Sequence, residues 1–160
     1  MTDVLMPSRM AASIADVVHA AGQRPVETGG FTLGASTGPL SVLALTGTEG
    51  VERRRNLFRV SGGAMAVLFE WADSAGITIV AQWHSHGRLA FLSETDVEHG
   101  FNVPGFRTTV VPFYRSPTPD PAAWGWWMFN GRHWVETPPP RLIDAEFRVI
   151  TFGEEGVVEH

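Results

Sequence analysis

Apolar residues recur at helical spacing in two stretches of this chain and alternate at strand spacing in most of the rest. In about residues 7–22, Met10, Ile14, Val17 and Val18 mark one face of an amphipathic helix. Ser8 is the predicted N-cap and Gly22 the predicted stop. About residues 62–75 repeat the pattern, with Met65, Leu68, Phe69 and Ala72 on one face. Between the helices, GGFTLGAS and GPLSVLALTG predict two strands joined by a turn at Ser36-Thr37-Gly38-Pro39. ERRRNLFRV, charged and then alternating, predicts another strand. Ile77-Thr78-Ile79-Val80-Ala81 is a short β-branched strand that runs straight into QWHSH.

After Asp96 the chain is predicted to stay helical to about Gly100. FRTTVVPFY is then a strand, with Pro112 at an edge or bulge. Beyond the loop SPTPDP, AAWGWWMF and HWVE predict a hairpin turning at Asn130-Gly131. PPPR breaks the chain, and FRVITF and VVEH, joined by GEEG, predict a last hairpin. No repeat or long linker divides the sequence. The expectation is one domain over 1–160, with a core at about 7–136 and a C-terminal hairpin or tail at about 141–160. Its class is α/β (α+β), a mixed β-sheet flanked by helices.

Composition narrows the functional classes. With 44% hydrophobic residues in 160, the chain can bury a core. A net charge of −5 argues against a nucleic-acid footprint, which is normally basic. The absence of cysteine excludes disulfides and thiolate metal sites. The N-terminus lacks the basic start and apolar run of a signal peptide, and no apolar stretch is long enough to span a membrane. A cytoplasmic protein without membrane or nucleic-acid partners is expected.

The chemistry concentrates in WHSHGRLAFLSETD. Strand residues two apart face the same way, so His84 and His86 present both imidazoles to one side and Ser85 faces away. Asp96 follows ten residues after His86. Two imidazoles and a carboxylate make a three-ligand zinc site that leaves one position for water. Such a metal generates hydroxide near neutral pH and polarises a carbonyl, which points to a hydrolase. Ser93 and Asp96 sit one helical turn apart, which is also the spacing of an ordinary capping box. A hydrolytic site further needs a base. Asp16, Glu27, Glu49, Glu52 and Glu70 are the upstream candidates, and spacing does not choose among them. Glu27 precedes TGGFTLG, whose glycines let another backbone or a substrate approach closely.

Glu27-Thr28-Gly29-Gly30-Phe31-Thr32-Leu33-Gly34 resembles the E-x-x-G-x-x-x-G opening of the JAMM (MPN+) metalloproteases. HSHG…SETD resembles that family's H-[ST]-H-P…S-x-x-D signature, and the helix and strand between the two blocks suit it as well. The resemblance extends from roughly the first helix to the Trp-rich hairpin. It implies a mixed sheet flanked by helices in a cytidine-deaminase-like three-layer arrangement, with a single catalytic Zn2+. The implied activity is cleavage of isopeptide or peptide bonds after ubiquitin-like proteins. Residue by residue, it makes His84, His86 and Asp96 zinc ligands. It makes Glu27 the base that deprotonates the zinc-bound water and passes the proton to the leaving amine, and Ser93 a donor to the tetrahedral oxyanion.

Two departures accompany the match. Gly87 stands where the family usually has Pro, and the segment from Gly87 to Ser93 is one residue shorter than the usual pattern. Without cysteine or room for long insertions, the chain is similar to the compact prokaryotic, JAB-domain type members. These act on small ubiquitin-like or sulfur-carrier proteins. E1/E2-like pathway proteins are candidate partners. The alternatives are a non-catalytic MPN-type scaffold or interaction module, and a zinc hydrolase of small amides.

Other residues carry two readings each. His99, three after Asp96, either supports the site from behind or is simply solvated. Trp124, Trp126, Trp127 and Trp134 crowd one hairpin, as packing or as a docking surface for a protein substrate. Arg53-Arg54-Arg55 is a solvated face, or a clamp for an acidic partner or substrate tail. All 12 basic residues are Arg. A composition biased toward Arg accounts for this. The alternative, relevant only in a ubiquitin-like pathway, is avoidance of self-modification at lysine amines.

Overall fold

The computed structural model describes residues 4–35 and 37–160. Ser36 of the predicted turn and residues 1–3 of the N-terminal segment lie outside the described residues. The chain begins with a strand the periodicity did not reveal, β1 (Val4–Pro7), followed at once by α1 (Ser8–Gly22). Pro7, not Ser8, is the N-cap, and no side chain caps this end. The helix starts directly off a strand paired on both edges, so Ser8 already lies in its first turn. Met10, Ile14 and Val18 are buried as predicted.

β2 (Gly29–Gly34) and β3 (Gly38–Thr46) pair antiparallel. ERRRNLFRV is not one strand. It forms a small separate hairpin, β4 (Val51–Arg54) and β5 (Leu57–Val60), turning at Arg55-Asn56. α2 (Gly62–Ala75) is capped by the Ser61 hydroxyl, which accepts from the Ala64 N–H, and stopped by Gly76 in the left-handed region at φ 69°. Its buried face is Ala64, Met65, Leu68 and Ala72. Phe69 was expected there, but it is 51% exposed and meets Phe101 edge-on at the margin.

The remaining strands are β6 (Thr78–Ser85), β7 (Arg107–Val111), β8 (Gly125–Phe129), β9 (Trp134–Glu136), β10 (Arg141–Ile143), β11 (Arg148–Gly153) and β12 (Gly156–Glu159). Among the described residues they complete a mixed ten-stranded sheet in the order β10-β1-β3-β2-β6-β7-β8-β9. β11 also joins β3, parallel, along Val42–Thr46, so β1 and β11 share one edge of β3. β10, hidden in sequence behind PPP, pairs parallel with β1. The β8–β9 turn centres on Gly131-Arg132, one residue later than expected. Asn130 Oδ1 accepts from the Arg132 and His133 N–H groups.

α1 covers one face of the sheet, over Leu40, Leu43, Val80, Trp83 and Val111. α2 covers the other, over Phe31, Val42, Ala44, Ile150 and Phe152. Helix, sheet and helix give the three expected layers. Trp124 and Trp126 stack in the α1-side core, which favours the packing reading of the Trp cluster. No helix of the described residues is long and apolar enough to cross a membrane.

A bulge sets the direction of β6. Ala81 pairs with Thr32 and Ile79 with Leu33, which leaves Val80 as the extra residue. Val80 and Trp83 therefore both enter the α1-side core although three apart. His84 is turned to the other side. Gly30 makes room for this arrangement. A Cβ there would stand 2.2 Å from the Ala44 carbonyl oxygen and 2.7 Å from the Trp83 ring. Gly30→Ala is expected to destabilise the protein by about 1–3 kcal/mol, measured by urea unfolding. A change below about 0.5 kcal/mol, the size of an ordinary surface substitution, would contradict this packing.

Candidate metal centre

β6 delivers the two histidines. Its ladder with β7 pairs His84 with Val110 and Ser85 with Val111, and the His86 N–H continues it to the Val111 carbonyl at 2.9 Å. Ser85 faces away, as expected, and is buried. Its hydroxyl accepts from the Thr28 N–H at 2.9 Å, while its own N–H donates to the Thr28 carbonyl at 2.9 Å. That exchange fixes the residue beside Glu27.

Asp96 arrives on a one-turn helix, α3 (Glu94–Glu98). The Ser93 hydroxyl accepts from the Asp96 N–H and the Asp96 Oδ2 accepts from the Ser93 N–H, each at 3.0 Å. The capping box and the ligand reading hold together, because the cap orients the carboxylate. Asp96 Oδ1 lies 3.1 Å from His84 Nε2, and Oδ2 lies 3.1 Å from His86 Nε2. His86 Nδ1 lies 3.3 Å from the Leu89 carbonyl. Donation there assigns the Nδ1–H tautomer and leaves the Nε2 lone pair toward the cluster.

The three groups fit a metal ion. Their ligand atoms all lie within 4.8 Å of one another. Three donors bound tetrahedrally at roughly 2.0–2.2 Å stand about 3.3 Å apart, and each imidazole lies 3.1 Å from one oxygen of Asp96, His84 from Oδ1 and His86 from Oδ2. Although Asp96 Oδ1 is near, His84 Nε2 is buried without an aligned hydrogen-bond partner among the described residues. Leaving such an atom unsatisfied costs about 1–3 kcal/mol, and a cation among the three relieves it. Two imidazoles with one carboxylate suit a borderline ion such as zinc.

Electrostatics separate the two carboxyls. Burial opposes ionisation of Asp96, but the two imidazoles and the Ser93 N–H outweigh it and hold the group well below the usual carboxylate range. Burial likewise penalises charge on His86, and Asp96 and Glu27 overcome it and raise this imidazole. Glu27 lacks such compensation. Its burial pushes the carboxyl up to about 7, with His86 opposing the rise and Asp96 adding to it. A carboxyl poised near neutrality is suited to proton transfer. Glu27, His86 and Ser93 line one groove of about 640 Å³.

Other expectations resolve differently. His99 is the C-cap of α3, exposed, and does not line the groove. Arg53 is not on a solvated face. Its guanidinium donates to Thr28 Oγ1 at 3.0 Å, to the Gly47 carbonyl at 2.8 Å, and to the Thr46 carbonyl and Oγ1 at 2.7 Å. The Glu27 N–H donates to the Arg54 carbonyl at 2.8 Å, so the β4–β5 hairpin braces the segment entering β2 that carries the candidate base. The glycines before β3 admit the protein's own side chains rather than a substrate: a Cβ at Gly29 would stand 2.5 Å from the Phe58 ring. At Gly87 a Cβ would stand 3.1 Å from the Tyr114 ring. The loop after His86 is set without Pro, by Phe113 N–H to Arg88 carbonyl at 2.8 Å and Tyr114 N–H to His86 carbonyl at 3.0 Å. Sequence reasoning gave Arg53 a different role, and missed Tyr114 and Phe91, whose ring meets His86 edge-on at 4.7 Å. Neither Tyr114 nor Phe91 is itself a position of a local motif.

Residues 9–126 match the family model described as prokaryotic homologs of the JAB domain. A protein from Desulfitobacterium hafniense, solved in solution, is similar at a TM-score of 0.64 and 13% identity, over 89% of this chain and 93% of that one. A JAB1/MPN domain protein from Archaeoglobus fulgidus is similar at 0.51 and 16% identity, over 89% of this chain and 100% of that one. At these identities the likeness is one of fold. Comparison with curated proteins gives no match.

The raised Glu27 carboxyl has a consequence for stability. The metal-free folded state favours the protonated acid, so this stabilisation is full below about pH 4.5 and lost as pH rises through about 7. Glu27→Gln is neutral throughout. Urea unfolding of metal-free protein should find the variant more stable than the parent at pH 8, by at most about 3 kcal/mol, with the gap closing toward pH 4.5. A gap that does not change with pH would contradict the buried, uncompensated carboxyl.

Proposed function

This chain belongs to the family of prokaryotic homologs of the JAB domain, and on that premise we propose that it is a zinc-dependent peptidase or isopeptidase. Its substrate is a ubiquitin-like protein, cut after the C-terminal tail in deconjugation or precursor maturation. JAB/MPN domains include metalloisopeptidases, and the His84–His86–Asp96 cluster could hold the metal. The observation that carries the reading is the shared groove. Glu27, with its carboxyl near neutrality, and Ser93 line it together with His86.

Zinc, when bound by the three ligands, supplies a Lewis acid for the scissile carbonyl and acidifies an attacking water. Glu27 takes the proton from that water and returns it to the leaving amine. Its carboxyl near 7 makes both transfers favourable at physiological pH. The Ser93 hydroxyl accepts from the Asp96 N–H, which leaves its own hydrogen free to donate to the oxygen where charge develops. Burial of the imidazoles and of Glu27 keeps competing water from these groups.

The test uses fusions of Gly-Gly-ending ubiquitin-like proteins to a reporter, with and without chelator. Cleavage should stop with chelator and in Glu27→Gln. Ser93→Ala should lower kcat about 10²- to 10³-fold with little change in KM. Glu27→Gln turning over at the parent rate would overturn the mechanism.

A further inference from the structure

Three arginines line the groove, and among the described residues none of them is in an ion pair. Arg55, Arg88 and Arg115 all line it beside Glu27 and His86. Elsewhere Arg54, Arg59 and Arg148 are paired, with Glu52 or Glu159. Arg9, Arg24, Arg132 and Arg141 are exposed without an ion pair among the described residues but do not line the groove; what sets Arg55, Arg88 and Arg115 apart is that they meet at one place. Among the described residues Arg55, Arg88 and Arg115 have neither an ion pair nor a side-chain hydrogen bond. In a chain of net charge −5, with 17 acidic residues available, this local excess of positive charge runs against the whole. The one acidic residue that lines the groove with them, Glu27, is the candidate base of the metal centre.

An apolar shelf adjoins the same arginines. Leu89, Phe91 and Phe113 line a second cavity of about 720 Å³, which shares Arg88 and Arg115 with the groove. They are 66%, 54% and 48% exposed. Phe113 sits at φ 56°, a conformation rare for a bulky residue. Two backbone bonds hold it there, Phe113 N–H to Arg88 carbonyl and Tyr114 N–H to His86 carbonyl. The same loop is tied to α1, where His19 Nδ1 lies 3.0 Å from the Arg115 carbonyl. Shelf and arginines therefore form one braced surface leading to the metal centre.

We propose that this surface selects the substrate by an acidic segment next to the scissile bond. Carboxylate side chains meet Arg55, Arg88 and Arg115, and a neighbouring apolar side chain rests on Leu89, Phe91 and Phe113. Charge complementarity names the acidic part, because planar guanidinium groups with open donors match carboxylates. The apolar shelf favours a peptide over a nucleic-acid backbone, which has phosphates but no aliphatic side chains. That the segment flanks a scissile bond rests on the proposed peptidase activity; the binding preference does not.

The test is fluorescence anisotropy with labelled peptides, on metal-free parent protein and on zinc-loaded Glu27→Gln. One peptide has the order Leu-Asp-Leu-Glu-Gly-Gly; its control replaces Asp and Glu by Asn and Gln. The acidic peptide should bind about tenfold more tightly at low salt, and the advantage should shrink at high salt. Arg88→Ala with Arg115→Ala should abolish the preference, and the Lys double variant should restore part of it. Phe113→Gly should weaken both peptides alike. Equal binding of the two peptides by the parent would overturn the proposal. So would a preference untouched by the Arg variants, or a six-nucleotide thymidine strand that binds as tightly as the acidic peptide. Acidic preference without cleavage of any fusion would sink the peptidase reading alone, and cleavage without acidic preference would sink this one alone.

Discussion

The site depends on one seam, the antiparallel pairing of β2 with β6 carried past the strand ends by Thr28 and Ser85. Four atoms on two buried residues exchange hydrogen bonds there, out of reach of water. A buried polar pair of this kind is specific, because any slip leaves both partners unsatisfied. The seam sets Glu27 against the histidines although 57 residues separate the two bonded partners. Arg53 braces it from the β4–β5 hairpin, and Trp83 under Gly30 braces it from the core. The strands could not close this far with a side chain at Gly29 or Gly30.

What the seam assembles is electrostatically unequal. One carboxyl, Asp96, is surrounded by imidazoles and a capping N–H and stays ionised. The other, Glu27, is buried with little compensation and stays near neutrality. Two carboxyls driven in opposite directions on either side of one imidazole, His86, suit ligand and base, respectively. The loop between the halves of the motif has lost the stiffness of a proline, and backbone bonds from Phe113 and Tyr114 replace it. The shortened segment still brings Asp96 to within 3.1 Å of both histidines.

Local signals in the sequence were legible, and long-range ones were not. Met10, Ile14 and Val18 announce α1 because each turn repeats the pattern, and His84, His86, Ser93 and Asp96 sit within one short run. β1 and β10 left no trace. Each is three or four residues long and is held by a parallel partner far along the chain. Ser8 looks like a cap by residue type, but a strand ending in Pro7 takes that position. Glu27 could be told from four other acids only by resemblance, because its role comes from the β2–β6 pairing rather than from its neighbours. The Arg53 brace and the meeting of Arg55, Arg88 and Arg115 at one groove depend on tertiary contacts alone. An arginine run reads the same whether it is solvated or built in.

The central claim is that His84, His86 and Asp96 together hold one metal ion. Elemental analysis of the purified protein and of its single Ala variants at these three positions tests it most directly. The account predicts close to one zinc per chain in the parent, retained in Glu27→Gln and lost in each ligand variant while the fold persists. Metal far below stoichiometry in the parent, or zinc that survives removal of any of the three side chains, would contradict it.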